Sequence, residues 1–156
     1  APGLNHILLV ARDQQIRNYR EMTRTIYDRS PVVSGYMRLA AKNKRTCLAC
    51  LALDGTTYAT GEVMALHPQD RCSMVPLVEG FPPPKFQTGE EWFKKQPPGV
   101  QREMMGPRRY AAWQDGRFQF GQLATVTENE TWGPNAQVTA VVDLLAGRGG
   151  VERGRV

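Results

Sequence analysis

Arg45-Thr46-Cys47-Leu48-Ala49-Cys50-Leu51-Ala52-Leu53-Asp54-Gly55-Thr56-Thr57-Tyr58, followed by His67-Pro68-Gln69-Asp70-Arg71-Cys72, is the stretch on which the reading of this chain turns. Cys47, Cys50, His67 and Cys72 form a C-x2-C-x16-H-x4-C pattern, four sulfur and nitrogen donors carried on two short segments. A tight C-x2-C turn lets two thiolates meet one ion, and a tetrahedral set of sulfur and imidazole is what zinc prefers. Four protein donors leave no open position, so a metal held here is structural. Other readings of the same residues stay open: a disulfide with one thiol left over, small buried hydrophobes, or a redox C-x-x-C. An odd cysteine count disfavours the first, and the absence of a thioredoxin-like βαβ pattern disfavours the last.

Around this stretch, residues 32 to 78 read as a small, β-rich module. Val32 to Leu39 has strand composition, Asp54-Gly55 signals a turn, and Thr56-Thr57-Tyr58 is extended again. Ser73 to Val78 reads as a further strand, which Pro76 marks as an edge. Upstream, residues 7 to 29 read as one amphipathic helix. Leu8, Ala11, Gln15, Tyr19, Met22 and Ile26 recur at spacings of three and four on one stripe. Arg17, Arg20 and Arg24 lie on the other side, where they present either a solvated face or a contact for nucleic acid or an acidic partner. Ser30-Pro31 ends this helix.

Downstream, Phe81-Pro82-Pro83-Pro84-Lys85 reads as a stiff linker. Thr88 is placed to cap a short helix, Pro98 to Met105 forms a second, and Arg108 to Gln114 a third. A last helix is expected over Val138 to Ala146, with a flexible basic tail beyond it. The fold class expected is therefore α+β: an N-terminal amphipathic helix, a small β-rich Cys/His module and C-terminal short helices. The boundaries expected are 1–80 for helix plus module, 81–87 for the linker, 88–146 for the helical part and 147–156 for the tail.

Composition narrows the function. The 156 residues include fifteen Gly and eleven Pro, one residue in six, as in a loop-rich fold. The longest apolar run, Cys47 to Leu53, is seven residues, far below the roughly 20 of a membrane helix. The apolar stretch near the N-terminus covers only Ile7 to Ala11, too little for a signal peptide. Twenty basic against fifteen acidic residues leave a net charge of +5, which favours polyanions or acidic surfaces as neighbours. No G-x-S-x-G, P-loop, G-x-G-x-x-G or H-E-x-x-H occurs, so no catalysis is expected. The start without Met suggests a segment of a longer protein.

The Cys/His stretch resembles the signature of the phage head morphogenesis family, the Mu F-like minor capsid proteins: R-T-C-x-x-C-x-x-L-D-G-x-x-Y, then H-P-x-C-R-C and a strand containing Pro. The helix with Tyr19-Arg20-Glu21-Met22-Thr23 resembles the segment upstream of that signature. Trp92-Phe93 to Gly106-Pro107, Tyr110, Gly116 and Trp132-Gly133 resemble the segment that follows it. The resemblance implies a non-enzymatic virion component, assembled in the bacterial host cytoplasm and located in the virion head. Its implied partners are portal and capsid proteins and packaged DNA, with roles in head assembly, DNA packaging or ejection and no small-molecule substrate or membrane. One position departs: Asp70 stands where the family has the first cysteine of C-R-C, and is itself a possible oxygen ligand. Two further expectations come from other classes: a zinc-ribbon-like nucleic-acid-binding module, and an effector or processing enzyme.

Overall fold

Ser30 and Pro31 divide a long helix from a sheet. In the computed structural model, which describes residues 3–128, 130–131 and 133–150, the chain is mixed α+β. Helix α1 runs Leu4–Arg29, and the Ser30 amide closes its last turn on the Tyr27 carbonyl at 3.1 Å. Beyond Pro31 the run opened by Val32 and Val33 becomes strand β1, Val33–Leu39. It is the centre of a three-stranded antiparallel sheet, between β2 (Thr57–Ala59) and β3 (Ser73–Val78). Tyr36 pairs with Tyr58 on one side and Pro76 on the other. Pro76 thus sits on an edge strand, where its missing N–H is tolerated.

Between β1 and β2 the cysteine stretch corrects the expectation of a mostly extended module: Leu48–Ala52 is a helix, α2. Leu and Ala favour helix, and the Cys47 sulfur caps it by accepting the Cys50 amide at 3.3 Å. Gly55, at φ 81°, then turns the chain toward β2. Although only five residues long, α2 feeds three apolar clusters. Leu48 and Leu51 join Phe93, Met105, Phe118, Phe120, Leu123 and Leu144. Ala49 and Leu53 pack with Ala65, Ala124 and Ala136. Cys50 lies with Tyr36, Met64, Leu66 and Cys72.

The C-terminal part supplies the other walls. Thr88 and Glu91 form a reciprocal capping box at α3, Gly89–Lys94. Helices α4 (Pro98–Met105) and α5 (Pro107–Gln114) each begin with proline at the first position. The segment expected to be a single helix from Val138 divides instead. Ala124–Thr127 (β4) and Asn135–Val138 (β5) form an antiparallel pair, and only Val141–Leu145 is helical, as α6. Thr139 marks the division: its amide bonds to the Leu123 carbonyl at 2.9 Å and its hydroxyl to the Gln122 carbonyl at 2.6 Å. These bonds draw the backbone toward β4 instead of continuing a helix. Trp132 and residues 151–156 of the expected basic tail lie outside the described residues. Among the described residues, no helix is long and apolar enough to cross a membrane.

Helix α1 reverses the expected orientation. The apolar stripe faces outward, with Met22 68% and Ile26 62% exposed, while Arg20 is 6% exposed. The helix docks through polar groups. Tyr27 Oη donates to the Met74 carbonyl at 3.1 Å, Thr60 Oγ1 to Asp28 at 2.8 Å, and Arg20 reaches the Cys/His module.

Gly89 is the tightest junction between α3 and α2, since a Cβ there would overlap the Leu51 carbonyl. Gly89→Ala therefore forces the two helices apart. The expected loss is about 3 kcal/mol, within the range for overpacking against backbone. Chemical denaturation of the variant beside the parent measures it.

Candidate metal centre

The four donors reach one place by two local devices. Cys47 and Cys50 are the cap and third residue of α2, so its first turn brings their sulfurs to one side. His67 to Asp70 is a tight turn, closed by the Asp70 amide on the His67 carbonyl at 3.0 Å. Gln69 sits at φ 63°, a left-handed conformation that a non-glycine residue adopts only under constraint. The turn presents His67 to the sulfurs and delivers Cys72 beside Cys50.

His67 Nε2 lies 3.1 Å from Cys47 Sγ and 2.9 Å from Cys50 Sγ. Its other nitrogen, Nδ1, is 2.7 Å from the Pro68 carbonyl oxygen, which can only accept, so Nδ1 carries the proton. In the neutral imidazole, the form that binds metal, this leaves the Nε2 lone pair facing the thiols, the arrangement that metal-binding histidines use. Cys47, Cys50 and His67 form one group whose ligand atoms all lie within 4.8 Å of one another; Cys50, Asp70 and Cys72 form a second, sharing Cys50. Ligand atoms bound to one tetrahedral ion at roughly 2.0–2.3 Å stand about 3.5 Å apart. The His67 distances are within an ångström of this. Cys47, Cys50, His67 and Cys72 thus cluster closely enough to hold a metal ion, and their soft and borderline donors suit zinc chemistry. The cluster lines a cleft of about 300 Å³ with Asn43, Arg45, Gln69 and Arg71 at its walls.

Asp70 has a different place. Its Oδ1 accepts from Arg20 Nη2 at 2.9 Å and from the Cys72 amide at 2.7 Å; its Oδ2 accepts from Arg38 Nη2 at 2.7 Å. Both oxygens are engaged with cations or N–H groups, so Asp70 anchors the ligand turn, while its Oδ2 also lies 3.8 Å from Cys50 Sγ and 3.9 Å from His67 Nε2. Burial opposes ionisation of Asp70, but Arg38, Arg20 and the Cys72 amide outweigh it and hold the carboxyl below the usual carboxylate range. Arg38 is fully buried on β1. It also donates to the Ala65 carbonyl at 2.5 Å and to Cys50 Sγ at 3.3 Å.

The three arginines proposed for contact separate. Arg20 is buried against Asp70 and the Cys72 carbonyl, the latter at 2.6 Å. Arg17 pairs with Asp13 at 2.7 Å and Arg24 with Glu21, also reaching the Gly61 carbonyl at 3.3 Å. Sequence reasoning gave Arg38 no role. The signal was an arginine flanked by apolar residues within a strand, which needs a buried anion, and Asp70 in the Cys/His stretch is that anion.

Three comparisons with known proteins, covering family models, curated sequences and solved structures, found no match.

With no metal bound, Cys47 and His67 form an ion pair. The Cys50 thiol bonded to Cys47 outweighs burial and, with His67, brings the Cys47 thiol down to about 4. The bond to Cys47 outweighs burial and raises His67 to about 9. Cys50 moves up because it is bonded between Cys47 and Cys72 and buried, and Cys72 moves down through its bond to Cys50. A depressed Cys47 gives stability that is lost as pH falls through about 4. A raised His67 gives stability that is lost as pH rises through about 9. The pair therefore stabilises the metal-free chain between these limits. Alkylation of Cys47 by iodoacetamide, followed by mass spectrometry after chelation, is expected to be nearly flat from pH 5 to 8. An ordinary cysteine rises through about 8.5 instead.

Proposed function

We propose that this chain is a non-enzymatic head morphogenesis module of a phage virion, in which Cys47, Cys50, His67 and Cys72 hold one structural zinc ion. The observation that carries the proposal is the cluster of four donors at the N-terminus of α2, where three apolar clusters meet. The spacing that forms it is the one that resembles the Mu F-like minor capsid proteins. Four protein ligands satisfy a tetrahedral ion, which suits a staple between α2 and the approach to β3. The zinc would neutralise the thiolates and fix the His67–Asp70 turn. His67, held by the Pro68 carbonyl, and the Asp70 anchor keep the donors oriented.

In this reading the protein is assembled in the bacterial cytoplasm and resides in the virion head beside portal or capsid proteins, assisting assembly, DNA packaging or ejection. The outer face of α1 supports a protein neighbour. Leu4, Ile7 and Leu8 near one end and Tyr19, Met22 and Ile26 near the other are exposed, and exposed apolar surface of this kind is characteristic of interaction sites. Direct nucleic-acid binding through the α1 arginines has less support. Arg20 is buried, and Arg17 and Arg24 are paired with carboxylates on their own helix.

Elemental analysis of the purified chain is expected to find about one zinc per chain, with thiols that react only after chelation. Cys47→Ser is expected to lose the metal, lower the melting temperature by about 10 °C and reduce incorporation into heads. Three freely reactive thiols and an unchanged melting temperature would refute the zinc assignment. Ile26→Glu separates assembly from folding: it is expected to leave the melting temperature within about 2 °C yet lower incorporation into heads. Normal incorporation of this variant would remove the α1 face from the interface.

A further inference from the structure

We propose that Arg20, Asp70 and Arg38 form the charged outer shell of the zinc centre, and that through Arg20 this shell couples docking of helix α1 to metal occupancy. The inference rests on the zinc assignment above and extends it to a helix that contributes no ligand.

The argument begins with charge. Arg20 and Arg38 remain protonated in proteins, and Asp70 pairs with both at 2.9 and 2.7 Å. All three side chains are at most 7% exposed, so this group carries one buried positive charge in excess. A buried charge without a counter-charge is strongly destabilising. A zinc ion with three thiolates and one neutral imidazole carries a net charge of −1. The sum of the two shells is zero. Replacing Asp70 would deprive Arg20 and Arg38 of the carboxylate that they share.

Geometry carries the second part. Arg38 Nη2 touches Cys50 Sγ at 3.3 Å as well as Asp70, linking the outer shell directly to a ligand. Arg20 Nη2 bonds the carboxylate of Asp70, its carbonyl at 3.2 Å and the Cys72 carbonyl at 2.6 Å. One guanidinium on α1 therefore holds the segment that delivers Cys72. Tyr27, Arg24 and Asp28 add single hydrogen bonds to the module nearer the helix C-terminus, and the Tyr27 ring packs against Tyr36. Because the contact is shared, coupling acts in both directions. If zinc orders the Asp70–Cys72 segment, it strengthens the seat of Arg20; removing Arg20 loosens the ligand segment to the same extent in free energy.

The test uses the full chain and zinc alone, competed against a chromogenic chelator. Arg20→Met is expected to weaken zinc binding about tenfold or more, the usual consequence of losing an outer-shell partner. Arg20→Lys, which keeps the charge, is expected to recover part of the loss, and Arg12→Gln, exposed on the same helix, to change nothing. Hydrogen exchange supplies the reverse readout. Chelating zinc from the parent chain is expected to speed exchange across residues 13–27 while α4 and α5 stay protected. Wild-type zinc affinity in Arg20→Met, or α1 exchange that is the same with and without zinc, overturns the coupling. A parent chain that binds no zinc overturns the metal assignment as well, which distinguishes the two failures. Should Arg20→Met fail to fold, the exchange comparison on the parent chain decides the question alone.

Discussion

Two guanidinium groups converge on one buried carboxylate, and much of the architecture follows from the need to satisfy them. Asp70 could not remain ionised in the interior without Arg20 and Arg38, and neither arginine could be buried without Asp70. Arg38 comes from the central strand, Arg20 from the long helix and Asp70 from the turn after His67. Their convergence therefore fixes the relation of α1, β1 and the ligand turn in one interaction. Such buried pairs add little net stability over an apolar replacement, but breaking one partner leaves an uncompensated charge. In the seating observed, α1 places Arg20 where it meets that charge.

Helix α2 transmits this local order to the rest of the molecule. Its five residues point in three directions, toward the aromatic cluster around Phe93, the small-residue layer of Ala65, Ala124 and Ala136, and the sulfur-lined side of the sheet. Leu48 and Leu51 pack α2 against the aromatic cluster around Phe93. The placement of the donors at the cap of such a helix would give the proposed structural ion leverage over it. Holding two sulfurs holds the element on which both halves pack.

The outward face of α1 adds the remaining link to the proposed function. Burying the arginine side of the helix leaves the apolar side without a cover within the described residues, along a helix of 26 residues. A scaffold anchored by a buried charge, with the zinc staple proposed above, and presenting an exposed apolar helix face would suit assembly with other proteins. It is less suited to surface attraction of a polyanion, despite the net charge of +5.

Much was determined by the sequence itself, wherever a local rule decides the outcome. Strand β3 begins at Ser73 and ends at Val78 as its composition and Pro76 indicate, Thr88 caps its helix, and Pro98 to Met105 is helical. The spacing of Cys47, Cys50, His67 and Cys72 likewise brings four donors together because turns and a first helical turn are short-range objects. What only the tertiary structure decided involves competition between distant groups. The stripe from Leu8 to Ile26 has the three- and four-residue spacing of a buried face, yet Arg20 turns the helix over because Asp70, fifty residues away, requires a cation. The thiol cap that makes α2 a helix, the hydrogen bonds of Thr139 that divide β5 from α6, and the role of Arg38 are of the same kind. Periodicity records which residues share a side of an element; only the fold specifies which side a buried charge will claim.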